Sequence, residues 1–274
     1  MMKTSVQQQA FQTTVREYYR VHGRHDLPWR LPEPGGRFDP YKVIVSELML
    51  QQTQVSRVIP KYEAFLGRFP TVSSLAKAPL ADVLRAWSGL GYNRRAKFLH
   101  QASQIITDDY NGEFPQDPAA LQTLPGIGPN TAGAILAYAF NEPVIFVETN
   151  VRTVFIHHFF HDQTGISDKT ILELVSQTLD RRQPREWYWA LMDYGSCLKQ
   201  TVGNPNRRSR QYTAQSKFEG SRRQIRGQII KLLGSNAYTK ANLRQQIPDD
   251  RLESVIDELL QEGLITRANQ QLTL

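Results

Sequence analysis

The sequence predicts a mainly α-helical protein ending in a small winged-helix-like module. Three observations carry that expectation. Apolar residues recur at helical spacing through most of the first 200 positions. Pro/Gly-rich stretches such as LPEPGGRFDP and the Gly-apolar-Gly turns separate those segments. Only the C-terminal LITRANQQLTL reads as a β-hairpin.

The 274 residues allow about two domains. A hydrophobic content of 40% supports a real core, and no apolar run approaches the ~20 residues of a membrane helix. The opening MMKTSVQQQAFQTTV lacks the apolar centre of a secretion signal. The expectation is a cytoplasmic monomer, nucleoid-associated if prokaryotic, with no membrane partner. A single cysteine, Cys197, excludes an intrachain disulfide, and the net charge of +7 suits a polyanionic partner.

Taken in order, residues 7–22 form a first helix ending near His22-Gly23, followed by Leu27-Pro28-Trp29-Arg30 and the Pro/Gly-rich LPEPGGRFDP. Tyr41 to Val55 reads as one strong helix, with Val43, Glu47, Leu50, Gln51 and Gln54 near one face. A carboxylate on such an apolar, amide-rich face is partly desolvated, as a general acid requires, whereas most helix acids simply face solvent. Pro60 to Leu99 continues helical with breaks at Pro70 and Pro79. It contains Gly89-Leu90-Gly91-Tyr92 followed by Arg94, Arg95 and Lys97. An aromatic on a glycine turn beside cations suits a wedge in a base stack with phosphate contacts, or simply a helix–helix turn with a basic face.

Leu124-Pro125-Gly126-Ile127-Gly128 is a second Gly-apolar-Gly turn, and Thr131 to Phe140 is small and apolar, a good helix. The amides of Gly126, Gly128 and Asn130 then lie at a helix N-terminus, which attracts phosphate. Thr131 occupies the place of a third glycine, so a dinucleotide fingerprint does not fit. Taken alone, the hairpin also fits an ordinary helix-turn-helix. Eighteen residues past Asn130, Glu148 stands two positions before Asn150. His157, His158 and His161 have no acid or cysteine at ligand spacing, so no metal is expected.

Trp187 to Leu198 forms a further helix, and the basic, polar stretch from Lys199 to Arg226 reads as a linker able to lie along a phosphate backbone through Arg207, Arg208 and Arg210. Three more helices follow, at 221–233 (closed by Gly234), 239–247 and 249–261 (ended by Gly263), and the hairpin completes a winged helix. Its third helix is acidic, which favours docking over major-groove reading.

A phosphate-gripping hairpin followed by an acid at this spacing resembles the helix-hairpin-helix DNA glycosylase superfamily. LPWR, SELMLQQTQV, FPTVSSLAKAPL, GLGYNRRAKFLH and LPGIGPNTAGAIL follow in the order of its MutY-type adenine DNA glycosylases, with the likeness covering roughly residues 25–200. The resemblance implies a six-helix barrel over 32–141, a second helical domain from 1–31 and 142–216, and the winged-helix-like domain at 217–274. It implies catalysis by Glu47, Glu148 and Asn150, with Glu47 as general acid and Glu148 stabilising a sugar cation. It implies DNA contacts from Gln51, Gln52, Tyr92 and the hairpin, and a base pocket including Trp29, Arg30 and Trp189. The implied partner is double-stranded DNA with a mismatch or lesion, from which a mispaired base, adenine or a related purine, is flipped and hydrolysed off.

The chain departs from the pattern at four points. Glu148 replaces the family's aspartate, and its four cluster cysteines fall on Lys199, Asn206, Ser209 and Gln215, so no iron–sulfur cluster is expected. The motif supplying a polar base contact reads Trp187-Tyr188-Trp189-Ala190, and the C-terminal domain that inspects 8-oxoguanine is replaced by the winged helix. Asn130 stands at the position of the Schiff-base lysine of bifunctional members; an amide forms no imine, so lyase activity is not expected. The hairpin carbonyls leave room for a monovalent cation. Two other readings stay open: a thymine, uracil or damaged-pyrimidine glycosylase of the same fold, and a DNA-binding protein without activity. Retention of both Glu47 and Glu148 argues against the latter.

Overall fold

The computed structural model describes residues 5–274 and packs as two compact units. Unit 1 takes in the described part of Met1–Val43, Gln116–Gln122 and Ile127–Ala214; unit 2 takes in Ile44–Pro115, Thr123–Gly126 and Gln215–Leu274. These bounds are cut differently from the three-part division expected from sequence. No helix among the described residues is long and apolar enough to cross a membrane.

Unit 1 is built on α1 (Ser5–His22), α8 (Pro129–Phe140), α9 (Thr149–Phe159), α10 (Asp168–Thr178) and α11 (Pro184–Thr201), with the short α7 at Pro118–Thr123 leading into the hairpin. Its core is aromatic: Phe11 of α1 lies 5.2 Å from Phe155, 4.9 Å from Phe159 and 5.9 Å from Trp187, ring centre to ring centre. Rings at these spacings in tilted and edge-on poses combine large apolar burial with favourable quadrupole contacts. Helix α8 ends where Asn141 takes a left-handed conformation at φ 59°, a conformation asparagine tolerates better than most residues.

Unit 2 holds the C-terminal part of α2 (Pro40–Leu50), then α3 (Val55–Arg68), α4 (Val72–Ala76), α5 (Leu80–Trp87) and α6 (Arg94–Asp109). The expected single helix over 41–55 is in fact two. Gln52 sits at φ 55° between them, so Gln54 falls outside the helix that carries Glu47. The proline breaks at 70 and 79 are present, and α4 opens with a reciprocal cap in which Thr71 and Ser74 bond each other's backbone N–H groups. Phe65 and Trp87, 5.9 Å apart, centre this core.

The C-terminal module belongs to unit 2: α12 (Arg222–Ser235), β1 (Tyr238–Thr239), α13 (Lys240–Gln246), α14 (Leu252–Gln261), β2 (Thr266–Ala268) and β3 (Gln271–Thr273). The wing is a hairpin whose turn residues Asn269 and Gln270 both have positive φ, as a two-residue turn matching strand twist requires. The sequence reading lacked β1, which pairs with β3 to give sheet order β1-β3-β2. Gly234 does not close α12. The helix runs on to Ser235, and the Gly234 carbonyl accepts from Arg85 Nε of α5 at 2.9 Å. The acids of α14 are largely matched internally, Glu258 and Glu262 with Arg222 and Arg226 of α12, and Asp257 with Lys240.

Candidate active site

In unit 1 the site is assembled at the start of α9. After Asn141 an irregular segment, with a tight turn in which Val144 N–H donates to Glu142 O at 2.8 Å, leads to Glu148. Phe146 stacks on Tyr188 at 4.1 Å, and the Tyr188 hydroxyl donates to Val144 O at 2.8 Å. Gly133 of α8 lets this segment approach: a Cβ there would fall 2.7 Å from the Phe146 ring. The segment is thus clamped between α8 and α11, and it delivers Glu148 as the N-cap of α9. The Glu148 carboxylate accepts from the backbone N–H of Asn150 at 2.7 Å and of Val151 at 3.3 Å. Burial pushes the Glu148 carboxyl above its ordinary range, against the pull of those two amides, Lys199 and Arg152. A carboxylate held at a helix N-terminus is an oriented anion. Asn150 Oδ1 in turn accepts from Lys199 Nζ at 2.7 Å.

The remaining candidates of unit 1 divide into exposed and committed side chains. Asn130 is exposed at the second position of α8, and exposed Gly128 caps that helix without any side chain, so its first N–H groups have no partner within it. Arg30 is not open to a base. It is buried, with Nη1 and Nη2 on the Asp193 carboxylate at 2.8 and 2.9 Å, and the neighbouring Trp29 is buried too. Burial alone would raise Asp193, but Arg30 and Arg24 hold its carboxyl below the usual range. Trp189 is half-buried, 5.4 Å from the Arg30 guanidinium and stacked 6.0 Å from Tyr138.

The stretch after Leu198 is not a loose linker at its start. Lys199 to Thr201 complete α11, and Pro205–Arg208 form a 3-10 turn pinned to α9. Buried Asn206 donates to Thr149 O at 3.1 Å and Thr153 Oγ1 at 2.5 Å, and Arg208 caps the end of α9 by donating to the Phe160 and His161 carbonyls. Arg208 is therefore a scaffold residue, Arg210 donates to Gly165 O at 2.6 Å, and Arg207 is exposed. An ammonium, an amide and a hydroxyl already engaged in hydrogen bonds occupy the positions of the first three cluster cysteines, a donor set that does not suit iron or sulfide. Among the described residues no group of three or more His, Cys, Asp or Glu could hold a metal ion.

In unit 2, Glu47 lies half-buried in α2, between buried Ser46 and Leu48. The second candidate surface is the pair of turns at 51–53 and 89–92, joined by Arg95. Its guanidinium is buried and donates to the carbonyls of Leu48 (2.6 Å), Met49 (3.0 Å) and Gln51 (2.6 Å) on one side. On the other side it reaches Leu90 (3.3 Å) and Gly91 (3.0 Å). This corrects the phosphate-contact role expected of Arg95. Burial lowers its pKa to about 10, which still leaves it a cation at neutral pH. Lys97 is also committed, to Glu262 O at 2.5 Å, whereas Arg94 stays exposed above Phe98. Exposed Gly126 lies against that same Phe98 at φ 80°, and a Cβ there would fall 2.8 Å from the Phe98 Cβ.

Gln52 is exposed, and Tyr92 holds φ 47° at the tip of its turn. The Tyr92 hydroxyl accepts from Gln215 Nε2 at 2.5 Å and from Arg223 of α12. Sequence reasoning missed the roles of Tyr188, Lys199, Asn206 and Arg223; Lys199 and Asn206 carried a signal as departures from the cysteine pattern, and Tyr188 as part of a departing motif.

Residues 45–179 match the family described as HhH-GPD superfamily base excision DNA repair protein. The adenine DNA glycosylase of Mycolicibacterium smegmatis is 35% identical over 271 residues, covering 89% of each chain. The chain belongs to the HhH-GPD superfamily. A further relative is the adenine DNA glycosylase of Buchnera aphidicola subsp. Baizongia pistaciae, 38% identical over 195 residues; that match covers 69% of this chain and about half, 53%, of the relative. HhH-GPD architecture recurs in solved structures. A thermostable thymine-DNA glycosylase gives a TM-score of 0.60 at 23% identity, covering 69% of this chain and 86% of its own. A trapped endonuclease III–DNA covalent intermediate gives 0.55 at 20% identity, covering 70% and 85%. These two share the fold.

Proposed function

We propose that the protein is a monofunctional DNA glycosylase of base excision repair that removes adenine, or a related purine, from mispaired double-stranded DNA. The observation that carries this reading is Glu148, an anion held at the first turn of α9 by two backbone N–H groups. The adenine DNA glycosylases among its relatives support the choice of base. An N-glycosidic bond breaks through an oxocarbenium-like sugar, so the reaction needs an anion beside the sugar and an acid for the departing base. Glu148 supplies the first and Glu47 the second; Asn150 orients Glu148, and water adds to the sugar. Exposed Gly126, Gly128 and Asn130 present N–H groups for a phosphate. Tyr92 and Gln52, on strained turns, enter the duplex. Asn130 and the engaged polar groups at the cysteine positions support a chemistry with neither imine nor iron–sulfur cluster.

The test is single-turnover excision on a panel of duplexes carrying adenine, thymine, uracil or damaged bases in defined mispairs, read by strand cleavage in alkali. Adenine mispairs are expected to be cut only after alkali. Glu47→Gln and Glu148→Gln are each expected to lower excision by about 10²-fold or more while DNA binding persists. Glu148→Asp, which shortens the reach by one methylene, is expected to lose about tenfold. Full activity in Glu148→Gln would refute the mechanism, and turnover confined to pyrimidine mispairs would refute the substrate.

A further inference from the structure

We propose that Lys199 is a positioning residue for the Glu148 carboxylate, acting through Asn150. The inference rests on the glycosylase reading and concerns residues of unit 1 alone. Helix α11 lies close against the first turn of α9 because residue 195 is glycine: a Cβ there would fall 2.9 Å from Asn150 Cα. Four residues on, Lys199 occupies the same face of α11. Its Nζ donates to Asn150 Oδ1 at 2.7 Å, and the backbone N–H of Asn150 donates to Glu148 Oε1 at 2.7 Å. The side chain and backbone of one residue thus join an ammonium to the candidate catalytic carboxylate.

The charges around the ammonium are few. Glu148 favours it and Arg152 opposes it, while Arg152 is itself paired with Asp168 at 2.7 Å. Burial lowers the Lys199 pKa and raises that of Glu148, while the charge of each pulls the other back toward its ionised form. An ammonium in this place fixes the amide and favours the ionised carboxylate. An uncharged polar residue could do only the first.

Lys199→Met, Lys199→Gln and Lys199→Arg separate the two contributions. In Lys199→Met the acid limb of the excision pH profile is expected to move upward by about one pH unit, with the rate at pH 7 down about tenfold. Lys199→Arg is expected to recover most of both. Carbon-13 NMR titration of the Glu148 carboxyl, assigned with Glu148→Gln, reads the same coupling without catalysis and is expected to move up in Lys199→Met. An unmoved Glu148 titration in Lys199→Met, or in Lys199→Gln should the first variant not fold, overturns the proposal. If the wild-type chain excises no base from any duplex, the functional reading fails and the titration still decides the coupling.

Discussion

Arg95 and Lys199 are two buried or half-buried cations handled in opposite ways. Arg95 has six carbonyl acceptors and the Thr53 hydroxyl set around its fork, so backbone dipoles surround its charge and tie two turns into one surface. Lys199 has one amide oxygen and the nearby Glu148 carboxylate, so its charge stays sensitive to its surroundings. A cation surrounded by backbone acceptors is scaffold. A cation given few partners beside an acid is an adjustable part of a site.

Removing the matched cation should have the largest effect. Arg95→Met leaves its carbonyl partners buried without a donor and is expected to cost about 3 kcal/mol or more in denaturant unfolding. A loss under about 1 kcal/mol would mean that water replaces the guanidinium and that the two turns need no tie.

His158 sharpens the comparison from the neutral side. Its ring nitrogen lies 3.0 Å from the Tyr194 hydroxyl and its ring 5.2 Å from Phe11; burial first, then His157 and His161, pull its pKa down to about 4. The unfolded chain therefore takes up this proton near pH 6.5 while the folded chain resists it until about pH 4. The stability that this provides is fully present above pH 6.5 and is lost as pH falls through that window. Allowing for solvent screening of a partly exposed ring, the loss is on the order of 1–2 kcal/mol. His158→Phe, which keeps the ring contact, should flatten the pH dependence of thermal unfolding between those limits; an unchanged slope would assign the proton elsewhere.

The smallest effects should separate Arg207 from Arg208. Arg208→Ala removes the donor to the carbonyls that follow α9 and is expected to lower stability by roughly 1 kcal/mol. Arg207→Ala should leave stability unchanged and reduce the salt dependence of DNA binding by about one phosphate contact at most. Equal behaviour of the two would remove the distinction between committed and exposed arginines in this segment.

These residues also show what the sequence made legible. Helices α1, α8 and α11 and the winged-helix order were readable because apolar periodicity and Gly/Pro punctuation are local signals. So was the hairpin, whose two glycines stay exposed while Leu124 and Ile127 turn inward. The break at Gln52 was not. No glycine or proline marks it, and the left-handed turn is accompanied by Arg95 drawing in carbonyls from 44 to 47 positions away. Basic residues read alike in a sequence whether they face phosphate or cap a helix, which is why Arg30, Arg95 and Arg208 were assigned to ligands and belong to the scaffold. Glu148 could be singled out as an acid after a hairpin, but its hold by Asn150 and Lys199 depends on α11 folding back onto α9.

The hydroxyl of Tyr92 is a point where the C-terminal module holds the 89–92 turn. Arg223 grips it from α12, and the same guanidinium reaches back to Ser216 O at 2.6 Å, so the tip of the turn, the connecting segment and α12 meet on one side chain. Loss of that one side chain would therefore release the tip of the turn and the connecting segment together.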